Sequence, residues 1–142
     1  MRVVLDTNVL ASAMMNPFST PGIVLRKIIE KPDIEMVFSE ATLSELKRVL
    51  FYPKIRKRID ASDNDIHLWI ESLGVIAHLI IPLYSYEVFV TEDADDDIFI
   101  IAALEGKARY VVSGDNHLLK LKKIHSIEII QPQEFLQFMD KQ

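Results

Sequence analysis

What most constrains this chain is alternation: short β-branched runs take turns with longer segments whose apolar residues recur at helical spacing. Arg2-Val-Val-Leu5 opens it as an apolar run suited to a strand covered on both faces. Ile34–Phe38, Val75–Ile81, Tyr110–Val112 and Ile127–Ile130 read as further strands. Between them, Ile23–Glu30, Glu40–Tyr52 and Asp63–Gly74 carry helical apolar stripes, and Lys54–Asp60 reads as a short basic helix. A helix from Asp96 to Glu105, N-capped by Asp95, leads into the fourth strand, and Gln133–Met139 follows Pro132 at the end. Ser39 and Ser62 are placed as N-caps, Gly74 and Gly106 as C-terminal stops. Strand and helix alternating at this length predict a single-domain, three-layer α/β/α fold over residues 1–142, with a mainly parallel, about five-stranded sheet.

Composition narrows the chemistry. The 142 residues include no cysteine, which removes disulfides, thiolate nucleophiles and Cys-ligated zinc, and suits a reducing cytoplasm. No apolar run approaches the ~20 residues of a membrane span, and the amino terminus lacks the pattern of a signal peptide. A cytoplasmic protein without a membrane partner is expected. The net charge of −5 has one source, because five of the 21 acids crowd into Glu92–Asp97 and the other sixteen balance sixteen Lys and Arg.

In open α/β sheets, ligands gather beyond the carboxyl ends of the strands. Asp6 follows the first strand and Asp115 the fourth, while Asp95, Asp96 and Asp97 open the helix that leads into the fourth strand. An aspartate after a strand commonly caps a turn, and acids in a first helical turn suit the helix dipole. Here more acids converge on one rim than those tasks need, and no Lys or Arg follows the cluster before Lys107. Carboxylates brought together repel unless something positive holds them. Oxygen ligands without cysteine favour Mg²⁺ or Mn²⁺. Glu45 stands beside the apolar stripe of Leu43, Leu46, Val49 and Leu50, which leaves it between a surface position and the rim.

Leu5-Asp-Thr-Asn-Val-Leu10, Glu45 after the second strand, Asp97-Ile-Phe-Ile-Ile-Ala-Ala-Leu104 and Ser113-Gly-Asp115 together resemble the PIN-domain ribonucleases, most of all the PIN-type toxins of prokaryotic toxin–antitoxin systems. The likeness runs over essentially the whole chain. It implies a metal-dependent endoribonuclease whose acidic quartet, Asp6, Glu45, Asp97 and Asp115, binds one or two Mg²⁺ or Mn²⁺ ions. It places Asp96 as an auxiliary ligand candidate, and Asn8 and Ser113 as site-orienting polar groups. It also implies RNA as substrate, a small antitoxin protein as partner, and a homodimer.

Other chemistries find less support. A haloacid-dehalogenase-like phosphatase wants a second acid two residues after the first, where Asn8 stands, and a phosphoreceiver wants paired acids and a late lysine. A catalytically inactive PIN-like module binding RNA or protein is the remaining alternative. Ser113 is in no Gly-x-Ser-x-Gly elbow, the four glycines form no phosphate loop, and His117 reads as a loop histidine. Bases cluster locally at Lys47, Arg48, Lys54, Arg56, Lys57 and Arg58, and again at Lys120, Lys122 and Lys123. Arg56, Lys57 and Arg58 are the candidate RNA-backbone contacts. Tyr84–Val90, with Tyr84, Tyr86 and Phe89, is either a contact loop or aromatic core.

Overall fold

The computed structural model describes residues 1–81 and 94–141, the side chains of 94–96 excepted. The Tyr84–Val90 segment, Glu92 and Asp93 therefore lie outside the described residues, as do the side chains of Asp95 and Asp96. The elements run β1 (Arg2–Leu5), α1 (Thr7–Met15), α2 (Thr20–Glu30), β2 (Glu35–Ser39), α3 (Glu40–Leu50), α4 (Pro53–Arg56), α5 (Asp63–Ile76) and β3 (His78–Ile80). Then follow α6 (Ala94–Glu105), β4 (Tyr110–Val112), α7 (Asn116–Leu119), β5 (Lys123–Ile124), β6 (Ile127–Ile130) and α8 (Pro132–Asp140). The six strands lie in the order β3-β2-β1-β4-β6-β5, parallel throughout except for the β5–β6 pair.

The middle positions of the central strands, Val3–Leu5, Met36–Phe38 and Tyr110–Val112, are apolar throughout because both faces are covered. Val3, Leu5, Met36, Phe38, Tyr110 and Val112 point to one side and pack with Leu10, Val24, Ile28, Leu46, Leu50, Ile66, Leu73, Phe135 and Met139. Val4, Val37, Val111 and Ile129 point to the other side, against Phe99, Ile100, Ala102 and Ala103 of α6 and Leu118 of α7. The expected three layers are therefore present. The sixth strand, Lys123–Ile124, is two residues long and pairs antiparallel with β6, too short to leave a periodic signature.

Capping explains most boundaries. Ser39 accepts from Thr42 N at 3.2 Å while Thr42 Oγ1 accepts from Ser39 N at 2.9 Å, a reciprocal box at the start of α3. Ser62 caps α5 as expected. Gly74, however, does not stop α5: the helix runs to Ile76, Ala77 is its C-cap, and the third strand shrinks to His78–Ile80. The basic helix likewise narrows to Pro53–Arg56, and α6 begins at Ala94, so Asp95 lies within it rather than before it.

Gly106 does close α6, although its backbone is not left-handed. That conformation falls to Lys107 (φ 54°), whose N–H donates to Leu104 O while Ala108 N donates to Ala103 O. Glycine is needed at 106 for room, since a Cβ there would lie 2.5 Å from Val37 Cγ1 and 2.9 Å from Ala102 O.

Candidate active site

Chain order reverses between β1 and β4: from β1 the sheet grows through β2 to β3 on one side and through β4 to β6 on the other. That switch point opens a crevice at the strands' carboxyl ends. Asp6 leaves β1 there, and Asp115 leaves the adjacent β4 after Ser113 and Gly114. The β1–β4 register, Leu5 opposite Val112, brings Asp6 beside Ser113.

Both aspartates are helix caps. Asp6 Oδ1 accepts from Val9 N at 2.8 Å at the start of α1, and an Asp115 side-chain oxygen accepts from His117 N at 2.8 Å at the start of α7. One hydroxyl joins them: Ser113 Oγ donates to Asp6 Oδ2 and accepts from Asp115 N at 2.9 Å. Capping and site-building are thus the same act here, which is why the helices α1 and α7 exist where the sequence pattern alone shows only a motif.

Asp6 is 3 % exposed. Burial penalises its charged form and, with the Asp115 carboxylate nearby, pushes its carboxyl up to about 6; hydrogen bonds from Ser113, Val9 and Asn8 act against the rise. A carboxylate in this position gains from any cation that reaches it.

Glu45 comes to the same cleft from α3. Asp6, Asn8, Glu45 and Asp115 line it together with Thr7, over a floor of Val49 and Phe99, enclosing about 70 Å³. Thr7 Oγ1 is buried there with no hydrogen-bond partner among the described residues. The Glu45 carboxylate is turned to Arg48, with Nη2 at 2.5 Å from Oε1 and Nε at 3.2 Å from Oε2. Arg48 also donates to the Tyr52 hydroxyl and lies over its ring, 5.1 Å from the centroid.

Asp97 is buried on α6, 5 % exposed, as its inward-facing position predicts, though it is not among the side chains lining the cleft. Around it on α6, Phe99, Ile100, Ala102 and Ala103 are buried, while Ile101 and Leu104 are half-buried.

The basic residues divide. Arg56 is a structural anchor: its guanidinium donates to Asp63 Oδ1 at 2.9 Å, to Ala61 O at 2.8 Å and to Ile59 O at 3.2 Å, tying α4 to the start of α5. Lys57 and Arg58 are exposed. Asn8 is exposed on the cleft's lining and His117 is exposed at α7.

The donor set is oxygen only, which suits a hard divalent cation, and the desolvated Asp6 and buried Thr7 hydroxyl are groups such an ion would satisfy. Among the described residues, no three His, Asp or Glu side chains are already gathered as an ion cage. Glu45 would have to leave Arg48 to complete one. Thr7 escaped the sequence reading, because it sits inside the first motif between two residues with an evident role.

Acids gathered at the carboxyl ends of a parallel sheet, where strand order reverses, form a cleft suited to a positively charged ligand. The chain belongs to the PIN domain family, whose model matches residues 2–117 and whose members are generally nucleases. It is 32% identical over 149 aligned residues to an uncharacterised protein, MJ1680, of Methanocaldococcus jannaschii, an alignment spanning 99% of this chain and 92% of the relative. Its fold resembles a chain in the crystal structure of VapBC2 from Rickettsia felis bound to a DNA fragment from their promoter. The two superpose with a TM-score of 0.51 at 17% identity, over 92% of this chain and 98% of the other. No helix among the described residues is long and apolar enough to cross a membrane.

Proposed function

We propose that this chain is a metal-dependent endoribonuclease that hydrolyses RNA phosphodiester bonds, acting as the toxin of a toxin–antitoxin pair. The observation that carries it is the meeting of Asp6, Glu45 and Asp115, from three separate elements, in one small cleft at the sheet's switch point. Family membership and the fold shared with a VapBC2 chain support the nuclease and toxin readings respectively.

Asp6, Glu45, Asp97 and Asp115 would hold one or two Mg²⁺ or Mn²⁺ ions, with Asp96 as auxiliary. Bound there, the metal would supply an activated water and charge stabilisation for an in-line displacement. The chain's own residues do the rest. Ser113 ties the Asp6 carboxylate to the backbone N–H of Asp115, which holds Asp6 against the start of α7. Asn8 presents its carboxamide at the rim, where it orients the phosphate or the water. Arg48 balances Glu45 until that carboxylate is drawn into the cleft. Lys57 and Arg58 contact the RNA backbone, with Arg56 holding their loop in place. A small antitoxin protein and a second copy of the chain are the proposed protein partners, in the cytoplasm.

The test is cleavage of RNA with Mn²⁺, with and without chelator, by wild type, Asp6→Asn and Asp97→Asn. Cleavage that needs metal and is lost in both variants is expected; activity surviving both substitutions rejects the site. Growth arrest on expression of the chain alone, absent for Asp6→Asn, is expected of a toxin.

A further inference from the structure

Helix α3 has two working faces. Glu45 and Val49 face the acidic cleft, while Ser44, Lys47, Arg48 and Phe51, at i, i+3, i+4 and i+7, face a groove shared with His67 of α5. The groove holds about 550 Å³, within the range of small-molecule sites. The Phe51 and His67 rings stack in it, centroids 4.9 Å apart and 24° from parallel. Both rings are half-buried, whereas Ser44 and Lys47 are exposed. Arg48 belongs to both sides, lining the groove while it binds Glu45 of the cleft.

A paired aromatic surface beside exposed cations is the chemistry that holds single-stranded nucleic acid: a base extends the stack by its π face and its phosphate meets the positive charge. The stack is not open enough to admit a ring between its members, so a base would add to one outer face. An acidic cleft on its own repels a polyanion, and the groove sets Lys47 and Arg48 one helix face away from it.

We propose that this groove is a nucleotide subsite for single-stranded RNA. It receives a nucleotide flanking the scissile bond, with the base against the Phe51–His67 stack and its phosphate on Lys47 and the Ser44 hydroxyl. This rests on the ribonuclease reading and deepens it, since it assigns substrate recognition to residues outside the acidic cleft. The subsite accepts any base, because stacking needs only a ring face.

The experiment measures binding of a fluorescein-labelled single-stranded RNA 12-mer, in chelator and across salt, to wild type, Lys47→Ala, His67→Ala, Phe51→Leu and Asp6→Asn. Phe51→Leu keeps an apolar side chain against the core, and thermal unfolding of each variant reports on the fold. Each groove variant is expected to raise Kd about tenfold or more while remaining folded at the assay temperature, as its unfolding curve shows. Lys47→Ala should also lower the slope of log K against log salt by about 0.7. Asp6→Asn should retain RNA binding while losing cleavage. Unchanged RNA affinity in all three groove variants, with cleavage still abolished by Asp6→Asn, overturns the subsite and leaves the ribonuclease reading standing. Cleavage that survives Asp6→Asn while the groove variants lose binding overturns the active-site reading and keeps the groove. Wild type that fails to bind the 12-mer while still cleaving RNA with Mn²⁺ overturns the subsite and leaves the ribonuclease reading standing.

Discussion

Asp6 and Asp115 leave neighbouring strands at the same end of the sheet, and what separates them is water. Each follows a buried parallel strand, each caps the next helix through its carboxylate, and each is tied to Ser113. Asp6 is sealed beneath α1 and its carboxyl rises to about 6, whereas Asp115 is half-exposed. Two aspartates that both cap a helix after a parallel strand are therefore two different groups. The buried one is costly to keep charged, which suits a group that is completed by a cation, and the open one lies where solvent and substrate enter.

The comparison breaks most sharply at Asp6. Replacing Asp6 by Asn keeps an acceptor for Val9 N but removes the charge, so metal-dependent RNA cleavage should fall by at least about 100-fold. Isothermal titration with Mn²⁺ should show a matching loss of affinity. A wild-type rate in this variant would shift the chemistry to another group.

Next in size is the pH dependence of stability without metal. Asp6 titrates at about 6 in the folded chain against 3.8 for a solvated aspartate, so between those values the folded state holds a proton that the unfolded state has released. Stability is then fully present below about pH 4 and declines as pH rises through 6, by up to roughly 3 kcal/mol from this group. Urea unfolding in chelator at pH 5 and pH 7.5 measures it. The Asp6→Asn variant should lack that part of the decline and be more stable than wild type at the higher pH.

Ser113→Ala sharpens the comparison by cutting the link. It leaves Asp115 N without its acceptor and Asp6 without a hydrogen bond that favours the charged form. A loss of roughly 1–2 kcal/mol is expected, with Asp6 titrating above its present value of about 6. Carboxyl-carbon NMR of wild type and variant reads the shift; an unmoved Asp6 resonance would show the contact to be idle. The smallest effect belongs to Asp115→Ala, which removes an exposed-side cap and should cost about 1 kcal/mol in denaturant unfolding. A cost as large as that of Asp6→Ala would erase the asymmetry between the two sites.

Much of the architecture was legible without coordinates. Strand positions follow from the β-branched runs, and the caps Ser39 and Ser62 from side-chain chemistry that acts within four residues. Elements that lack such a signal escaped. The strand Lys123–Ile124 has too few residues to show a period, and α1 and α7 are entered through aspartates that read equally well as motif residues. Gly74 misled because its small side chain allows a stop but does not compel one, and α5 continues past it to Ile76. Arg56 shows how a charge can serve the fold: it suggested a phosphate contact, and its Nε, Nη1 and Nη2 donate to Asp63 and two backbone carbonyls.

By itself, the order of residues determined the layered α/β plan, the alternation that sends Val3 and Leu5 to one face and Val4 to the other, and the set of acids available for a site. These are consequences of short-range geometry, the two-residue period of a strand and the 3.6-residue period of a helix. Only the tertiary structure decided that β4 lies against β1, and hence that Ser113 bridges Asp6 and Asp115, that Glu45 reaches the same cleft, and that Phe51 meets His67. Those meetings join residues 16 to 107 positions apart. They depend on strand adjacency and on which side chains are shut away from water, and neither is written in any local stretch of the chain.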